Sequence, residues 1–200
     1  MKHDIILAGV GGQGILTIAA VVARTAVRRG LNLKQSEVHG MAQRGGAVLA
    51  HLRISDEPIY SDLVPRGKAD FVVAVEPLEA LRQAPSLAAH GKLLVNRTPL
   101  TNIDNYPELE DIYAEIERIP GHCLIDADAL AKKAGSGRAM NMVMLGTLSH
   151  WLDDGIPADA FLQTIDEVFR SKGEKIVAVN KEAFESGRRA AEQGGKETDA

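Results

Sequence analysis

Cysteine is nearly absent: Cys123 stands alone among 200 residues. One thiol excludes an internal disulfide framework, and it excludes any four-cysteine iron–sulfur or zinc site built by this chain alone. A reducing, cytoplasmic setting is the simplest reading, and Cys123, inside an apolar stretch, is expected to be inert core. A basic excess is lacking too. The 23 Lys and Arg are outnumbered by 27 Asp and Glu, for a net charge of −4, so no broad positive field points to nucleic acid. There is no P-loop, no Ser/His/Asp nucleophile signature and no stripe of interleaved basic and aromatic residues. No repeat, low-complexity block or domain linker interrupts the chain. The charge-free run from Ile5 to Ala23 is expected to be neither a signal peptide nor a membrane span. Asp4 spoils a positive leader, and Gly9, Gly11, Gly12, Gln13 and Gly14 sit where such a segment needs a continuous apolar helix. No membrane association is expected.

What is present is the composition of an ordinary globule, 45% apolar and 25% charged, at a length that suits one domain with a full core. We expect a single domain over residues 1–193 and a polar, frayed tail over 194–200. The most informative stretch lies near the start. Ile5-Ile6-Leu7-Ala8 runs into Gly9-Val10-Gly11-Gly12-Gln13-Gly14 and then into helix-like Ile15-Leu16. A strand, a glycine turn and a helix open a doubly wound α/β fold. There the first glycine permits a tight turn, the second admits a ligand's phosphate, and the third lets helix and strand pack closely. Amides at the following helix start would face an anion.

The rest of the chain keeps the α/β rhythm. A strand is expected over residues 3–8 and a helix from Gly14 to Arg29, with Ile15, Ile18, Ala19 and Val22 on one face and Gly30 ending it. Strands follow at Asn32 to Val38 and Ala47 to Ile54. Asp56-Glu57-Pro58 is expected to turn the chain into a short strand near Ile59-Tyr60, forming a hairpin attached to the sheet. Phe71-Val72-Val73-Ala74-Val75 has the apolarity of a strand buried on both faces, and Pro77 opens a helix. The helix–strand rhythm repeats, with a helix over Pro85 to His90, Gly91, and a strand at Lys92 to Asn96. Pro107 to Arg118 is a helix and Cys123-Leu124-Ile125 a buried strand. From Asp128 onward the chain is helical: Asp128 to Ala134, Met140 to Leu152, Pro157 to Ser171 and Lys181 to Glu192. The expected fold is α/β, a doubly wound Rossmann-like, mostly parallel sheet with an attached hairpin and a helical C-terminal third.

Two motifs carry chemistry. The turn Gly9 to Gly14 either cradles a phosphate or serves packing alone, and the residues leave both open. Ser36-Glu37-Val38-His39-Gly40-Met41-Ala42-Gln43-Arg44-Gly45-Gly46 gathers a carboxylate, an imidazole, a guanidinium and glycines at the end of a strand, where α/β ligand sites form. Arg44 beside Gly45 and Gly46 suits a bidentate anion contact, and His39 an acid or base. The alternative is a structural turn in which Arg44 pairs with Glu37. Glu37 is the acidic residue a dinucleotide's ribose would need. It stands 23 residues after Gly14, among His39, Met41, Gln43 and Arg44, which do not shape an adenosine pocket. A nicotinamide cofactor is therefore not favoured. Glu76, Asp126 and Asp128 follow apolar strands; helix capping is the expected role of the two aspartates, and no metal is expected. Arg138 and Asn141 open a helix whose apolar face, Met142, Leu145 and Leu148, is expected to be core or a subunit interface.

Together these residues resemble the gamma domain of the 2-oxoacid:acceptor oxidoreductases, in the branch of the beta subunit of indolepyruvate:ferredoxin oxidoreductase. The match rests on Gly9 to Gly14 and Ser36 to Gly46. It continues through Tyr60-Ser61, Ala69-Asp70, Glu76 to Arg82, Val95-Asn96, Asp126-Ala127, Asn141 to Gly146, Asn180 and Ala183-Phe184, about residues 3–190. The Ser36 to Gly46 string is its most specific part.

The resemblance implies one subunit of a two-chain enzyme that oxidatively decarboxylates an arylpyruvate, joins the acyl group to coenzyme A and passes two electrons to ferredoxin. Thiamine diphosphate, its magnesium and the 4Fe-4S clusters then belong to a large alpha subunit. This chain has one cysteine and lacks the Gly-Asp-Gly…Asn-Asn pattern that anchors thiamine diphosphate, so it is not active alone. Its implied contribution is a coenzyme A site at the subunit interface. Phosphates would meet Arg44 and the turn of Gly9, Gly11, Gly12, Gln13 and Gly14, while Glu37, His39, Gln43, Gly45 and Gly46 shape the wall. No catalytic residue is assigned. In isolation the chain is expected to form a homodimer. The competing readings are the gamma subunit of a pyruvate or 2-oxoglutarate enzyme, a non-catalytic binding module, and a stand-alone nucleotide-binding Rossmann protein.

Overall fold

The computed structural model describes residues 1–39, 46–101 and 103–193. Six strands form one sheet in the order β2-β3-β1-β4-β5-β6. They are β1 (Lys2–Val10), β2 (Asn32–His39), β3 (Ala47–Ser55), β4 (Ala69–Ala74), β5 (Leu87–Asn96) and β6 (His122–Ile125). β1, β4, β5 and β6 pair in parallel. Seven α-helices are described: α1 (Ile15–Arg28), α2 (Pro77–Gln83), α3 (Leu109–Glu117), α4 (Ala127–Lys133), α5 (Met140–His150), α6 (Ala158–Phe169) and α7 (Glu174–Glu192).

β1 is buried from His3 to Val10 because both faces of the sheet are covered. Alternation along the strand divides the core. Ile5 and Leu7 face α1 and the helices of the C-terminal third, where Ile18, Val22, Leu145, Phe161 and Phe184 pack. Ile6 and Ala8 face the other way, with Val72, Leu93 and Val95, onto Ala80 of α2 and Ile112 and Ile116 of α3. α1 and α2 therefore leave the adjacent strands β1 and β4 toward opposite faces, which makes the β1–β4 gap the point where the winding reverses.

The α/β class, the mainly parallel sheet and the helical C-terminal third are as the sequence predicts. The hairpin is elsewhere. β2 and β3 form it, and β3 also pairs antiparallel with β1. Ile59 and Tyr60 are not in a strand, and Tyr60 is 94% exposed. Side chains of β3 hold this loop in place of a ladder: Arg53 donates to the Ser61 and Leu63 carbonyls, and His51 Nδ1 accepts from Val64 N–H at 3.1 Å. Arg53 in turn grips buried Asp4 (Nε to Oδ1, 2.6 Å). Burial works against ionisation of Asp4, but the hydrogen bonds from Arg53 and Lys2 prevail and hold its carboxyl below the usual range. Two further boundaries differ. Of the expected helix over residues 85–90 only Pro85 and Ser86 are helical, in the single turn Ala84–Ser86 that follows α2, and β5 already begins at Leu87. α7 begins at Glu174, seven residues before Lys181, because Gly173, at φ +97°, marks the break that starts it. The expected tail, 194–200, lies outside the described residues.

Candidate functional site

β1 and β2 are both antiparallel to β3, so they point the same way, and their carboxyl ends share one sheet edge with those of β4, β5 and β6. That edge holds the glycine turn. Val10 N–H donates to Gln13 Oε1 at 2.8 Å, and Gln13 Nε2 donates to the Val75 carbonyl, just after β4, at 3.2 Å. A single carboxamide thus satisfies both lips of the gap between β1 and β4. Gly9 is packed into the same gap: a Cβ there would lie 2.3 Å from Val75 Cγ2 and 2.8 Å from Ile15 Cδ1. The close approach of β1, Val75 and the start of α1 thus rests on the first glycine; the third packs instead against α5, where its Cβ would stand 2.6 Å from Asn141 Nδ2. Protein atoms fill the space beside Gly9.

The turn's other glycines divide the remaining work. Gly11 N–H donates to the Gly46 carbonyl at 2.9 Å, tying the glycine turn to the start of β3. Gly12 and Gly14 take left-handed φ values of +102° and +80°, and open space surrounds the position of a Cβ on Gly12. Gly14 caps α1; no side chain caps this helix, and its first turn carries no acidic residue. The Ile15 and Leu16 amides have no acceptor within the helix and point off the sheet edge with the positive end of the helix dipole, while Thr17 N–H already donates to the Gly14 carbonyl. Behind them, Asn141 Nδ2 of α5 donates to the Gly14 carbonyl at 3.3 Å.

Farther along the edge the carboxylates are used internally. Buried Glu76 caps α2 by accepting from Glu79 N–H at 2.9 Å, and it also accepts from the Tyr106 hydroxyl. Burial, reinforced by that bond to Glu76, pushes the Tyr106 phenol well above its ordinary range. Asp126 caps α4 through Ala129 N–H at 2.8 Å, as the sequence predicts. Asp128 does not cap; it accepts from Asn96 Nδ2 at 2.9 Å, while Asn96 also reaches the Val75 carbonyl and Ala127 N–H. Cys123 is buried in β6, and burial raises its thiol to about 11. Among the described residues no three His, Cys, Asp or Glu side chains gather as metal ligands would.

Of the predicted site residues, Gly9, Gly11, Gly12, Gln13, Gly14 and Gly46 come together here. Glu37 lies exposed on the edge strand β2 and accepts from Gln35 Nε2. The His39 backbone ends β2 opposite Val48. Gln43, Arg44 and Gly45 lie outside the described residues, as does the expected Arg44–Glu37 alternative. Sequence reasoning named Asn96 without a role and missed Tyr106 and the reach of Asn141 to Gly14, contacts between residues distant in the chain that no local spacing signals.

Comparison with known proteins now decides the family. The sequence pattern of the pyruvate ferredoxin/flavodoxin oxidoreductases matches residues 4–190. The chain belongs to this family. Indolepyruvate oxidoreductase subunit IorB of Archaeoglobus fulgidus is 37% identical over 194 residues, covering 94% of each chain. The subunit of the same name from Pyrococcus horikoshii is 38% identical over 201 residues, covering 96% of this chain and 97% of that one. Among solved structures, the pyruvate oxidoreductase subunit PORC of Thermotoga maritima superposes with a TM-score of 0.73 at 24% identity, over 94% of this chain and 96% of that one. A 2-oxoglutarate:ferredoxin oxidoreductase from Magnetococcus marinus, solved with 2-oxoglutarate, coenzyme A and succinyl-CoA bound, gives 0.76 at 23% identity. This chain covers 31% of that longer one and is itself covered to 96%. The chain thus shares its fold with both structures. No described helix of this family member is long and apolar enough to cross a membrane.

Proposed function

We propose that this chain is the non-thiamine subunit of a cytoplasmic indolepyruvate:ferredoxin oxidoreductase. The observation that carries the reading is identity of 37% and 38%, over nearly the full length of both proteins, to subunits that bear the indolepyruvate oxidoreductase name. The enzyme takes an arylpyruvate, coenzyme A and two oxidised ferredoxins, and releases an aryl-acetyl-CoA, carbon dioxide, two reduced ferredoxins and the proton of the coenzyme A thiol. Decarboxylation and electron transfer belong to a large partner that carries thiamine diphosphate, magnesium and the iron–sulfur clusters. One cysteine in the whole sequence is too few to hold such a cluster.

This chain's part is to receive coenzyme A at the interface. The glycine turn suits a phosphate: Gly12 opens onto free space, α1 starts without a side-chain cap, and no carboxylate stands in its first turn to repel the anion. The gap between β1 and β4, where a dinucleotide sits in other Rossmann-type domains, is instead bridged by Gln13. That disfavours a stand-alone nucleotide cofactor and directs the ligand to the outer rim of the turn. In this reading Arg44 supplies the charge-assisted contact to a coenzyme A phosphate, and Glu37, His39 and Gln43 shape the pocket wall. In the assembled enzyme, Arg44→Ala should raise the KM for coenzyme A by about tenfold to a hundredfold, the weight of one hydrogen bond to a charged group. An unchanged KM for coenzyme A would remove this site from the reaction.

A further inference from the structure

The Gly14 carbonyl is held by three donors from two helices that cover the same face of the sheet. Thr17 N–H and Ile18 N–H reach it from α1 at 3.0 and 3.3 Å, and Asn141 Nδ2 reaches it from α5 at 3.3 Å. The two helix amides are the ordinary start of α1. Asn141 comes from 127 residues away, is only 9% exposed, and sits on a helix buried from Met140 to Ser149. Its fit is close: a Cβ on Gly14 would stand 2.6 Å from Nδ2. α5 is itself immobilised against α7, where Thr147 Oγ1 donates to the Gly187 carbonyl at 2.9 Å.

The peptide between Gly14 and Ile15 is planar, so its C=O and N–H point in opposite directions. Fixing the carbonyl toward Asn141 aims the Ile15 N–H outward from the turn. Gly14, at φ +80°, is a residue whose own conformational freedom would let that plane rotate. From this geometry we infer that Asn141 is a positioning residue for coenzyme A. It acts through the Gly14 carbonyl to hold the outward amides of the glycine turn, and the inference rests on the coenzyme A reading given above.

The test uses the assembled two-chain enzyme with Asn141→Leu, which keeps the side chain's size but removes the donor. Asn141→Ala serves as the second variant should the leucine disturb assembly. The expected result is a rise of about fivefold to tenfold in the KM for coenzyme A, the weight of one neutral hydrogen bond. The KM for the 2-oxoacid and kcat at saturating coenzyme A should stay within about twofold on the same grounds, since neither depends on this bond. Amide hydrogen exchange should quicken in the peptide spanning Gly11 to Thr17 and stay unchanged in β4 and β5. If the KM for coenzyme A is unchanged while Arg44→Ala raises it, Asn141 only packs and the inference fails, leaving the functional reading intact. Equal rises in both KM values with faster exchange throughout would overturn it as a general loss of stability. If neither Arg44→Ala nor the Asn141 variants affect coenzyme A, the functional reading itself fails and takes the inference with it.

Discussion

Carboxamides and imidazoles do at this sheet edge what charged groups do in many α/β proteins. Gln13 joins the two lips of the β1–β4 gap without introducing a charge, and Asn141 does the same for the turn's last glycine. His51 performs a comparable service on the opposite face, its Nδ1 accepting the Val64 N–H. Burial lowers the His51 pKa from 6.5, more than nearby Asp62 raises it. The unfolded chain therefore takes up more protons as pH falls below about 6.5, and the stability that His51 confers is full above that pH and lost beneath it. Thermal unfolding should move to lower temperature between pH 7 and pH 5.5. His51→Asn, which keeps an acceptor but cannot be protonated, should flatten that slope. A residual slope is expected from His3, lowered by burial against the pull of Asp154. An identical slope in His51→Asn would show that Val64 is not held by a titrating ring.

At the scale of elements, glycine spacing and apolar runs made most of the fold legible. The strand at residues 71–75 and the glycine turn announce themselves because both faces of the strand are covered and the turn needs left-handed residues. Side-chain anchors left no such mark. Ile59-Tyr60 has the apolarity of a strand, yet Arg53 and His51 tether that loop through carbonyl and amide groups that no pattern reveals. The crossing of α5 and α7 was equally hidden. Gly187 lies so close to α5 that a Cβ would stand 1.9 Å from the Val143 carbonyl, with Gly146 in the reciprocal position against Phe184. Gly187→Ala sets backbone against new atoms with no flexible side chain to yield. It should cost about 3 kcal/mol, and lower the melting temperature by about 6–12 °C for a domain of this size. Differential scanning calorimetry reads this directly; an unchanged melting temperature would mean that the two helices can separate at little cost.

For the whole molecule, the sheet's winding brings the site together. Reversal between β1 and β4, with β2 running alongside β1 through the hairpin, delivers the glycine turn and Gly46 to one edge although 32 positions separate Gly14 from Gly46. The sequence motifs named that edge in advance because both glycine-rich strings follow strands of the same direction. The internal use of Gln13 and of the edge carboxylates was not visible, since it depends on partners up to 62 residues away. What emerges is a chain that closes its own nucleotide gap and leaves amides on its outer rim, an arrangement suited to completing another subunit's site. The most direct measurement is coenzyme A-dependent viologen reduction, assayed anaerobically with indolepyruvate and with pyruvate, on this chain alone and on the complex it draws from its source. Turnover only by the complex, with indolepyruvate preferred, is the predicted result. Turnover by the isolated chain, or by the complex with pyruvate in preference, would contradict it.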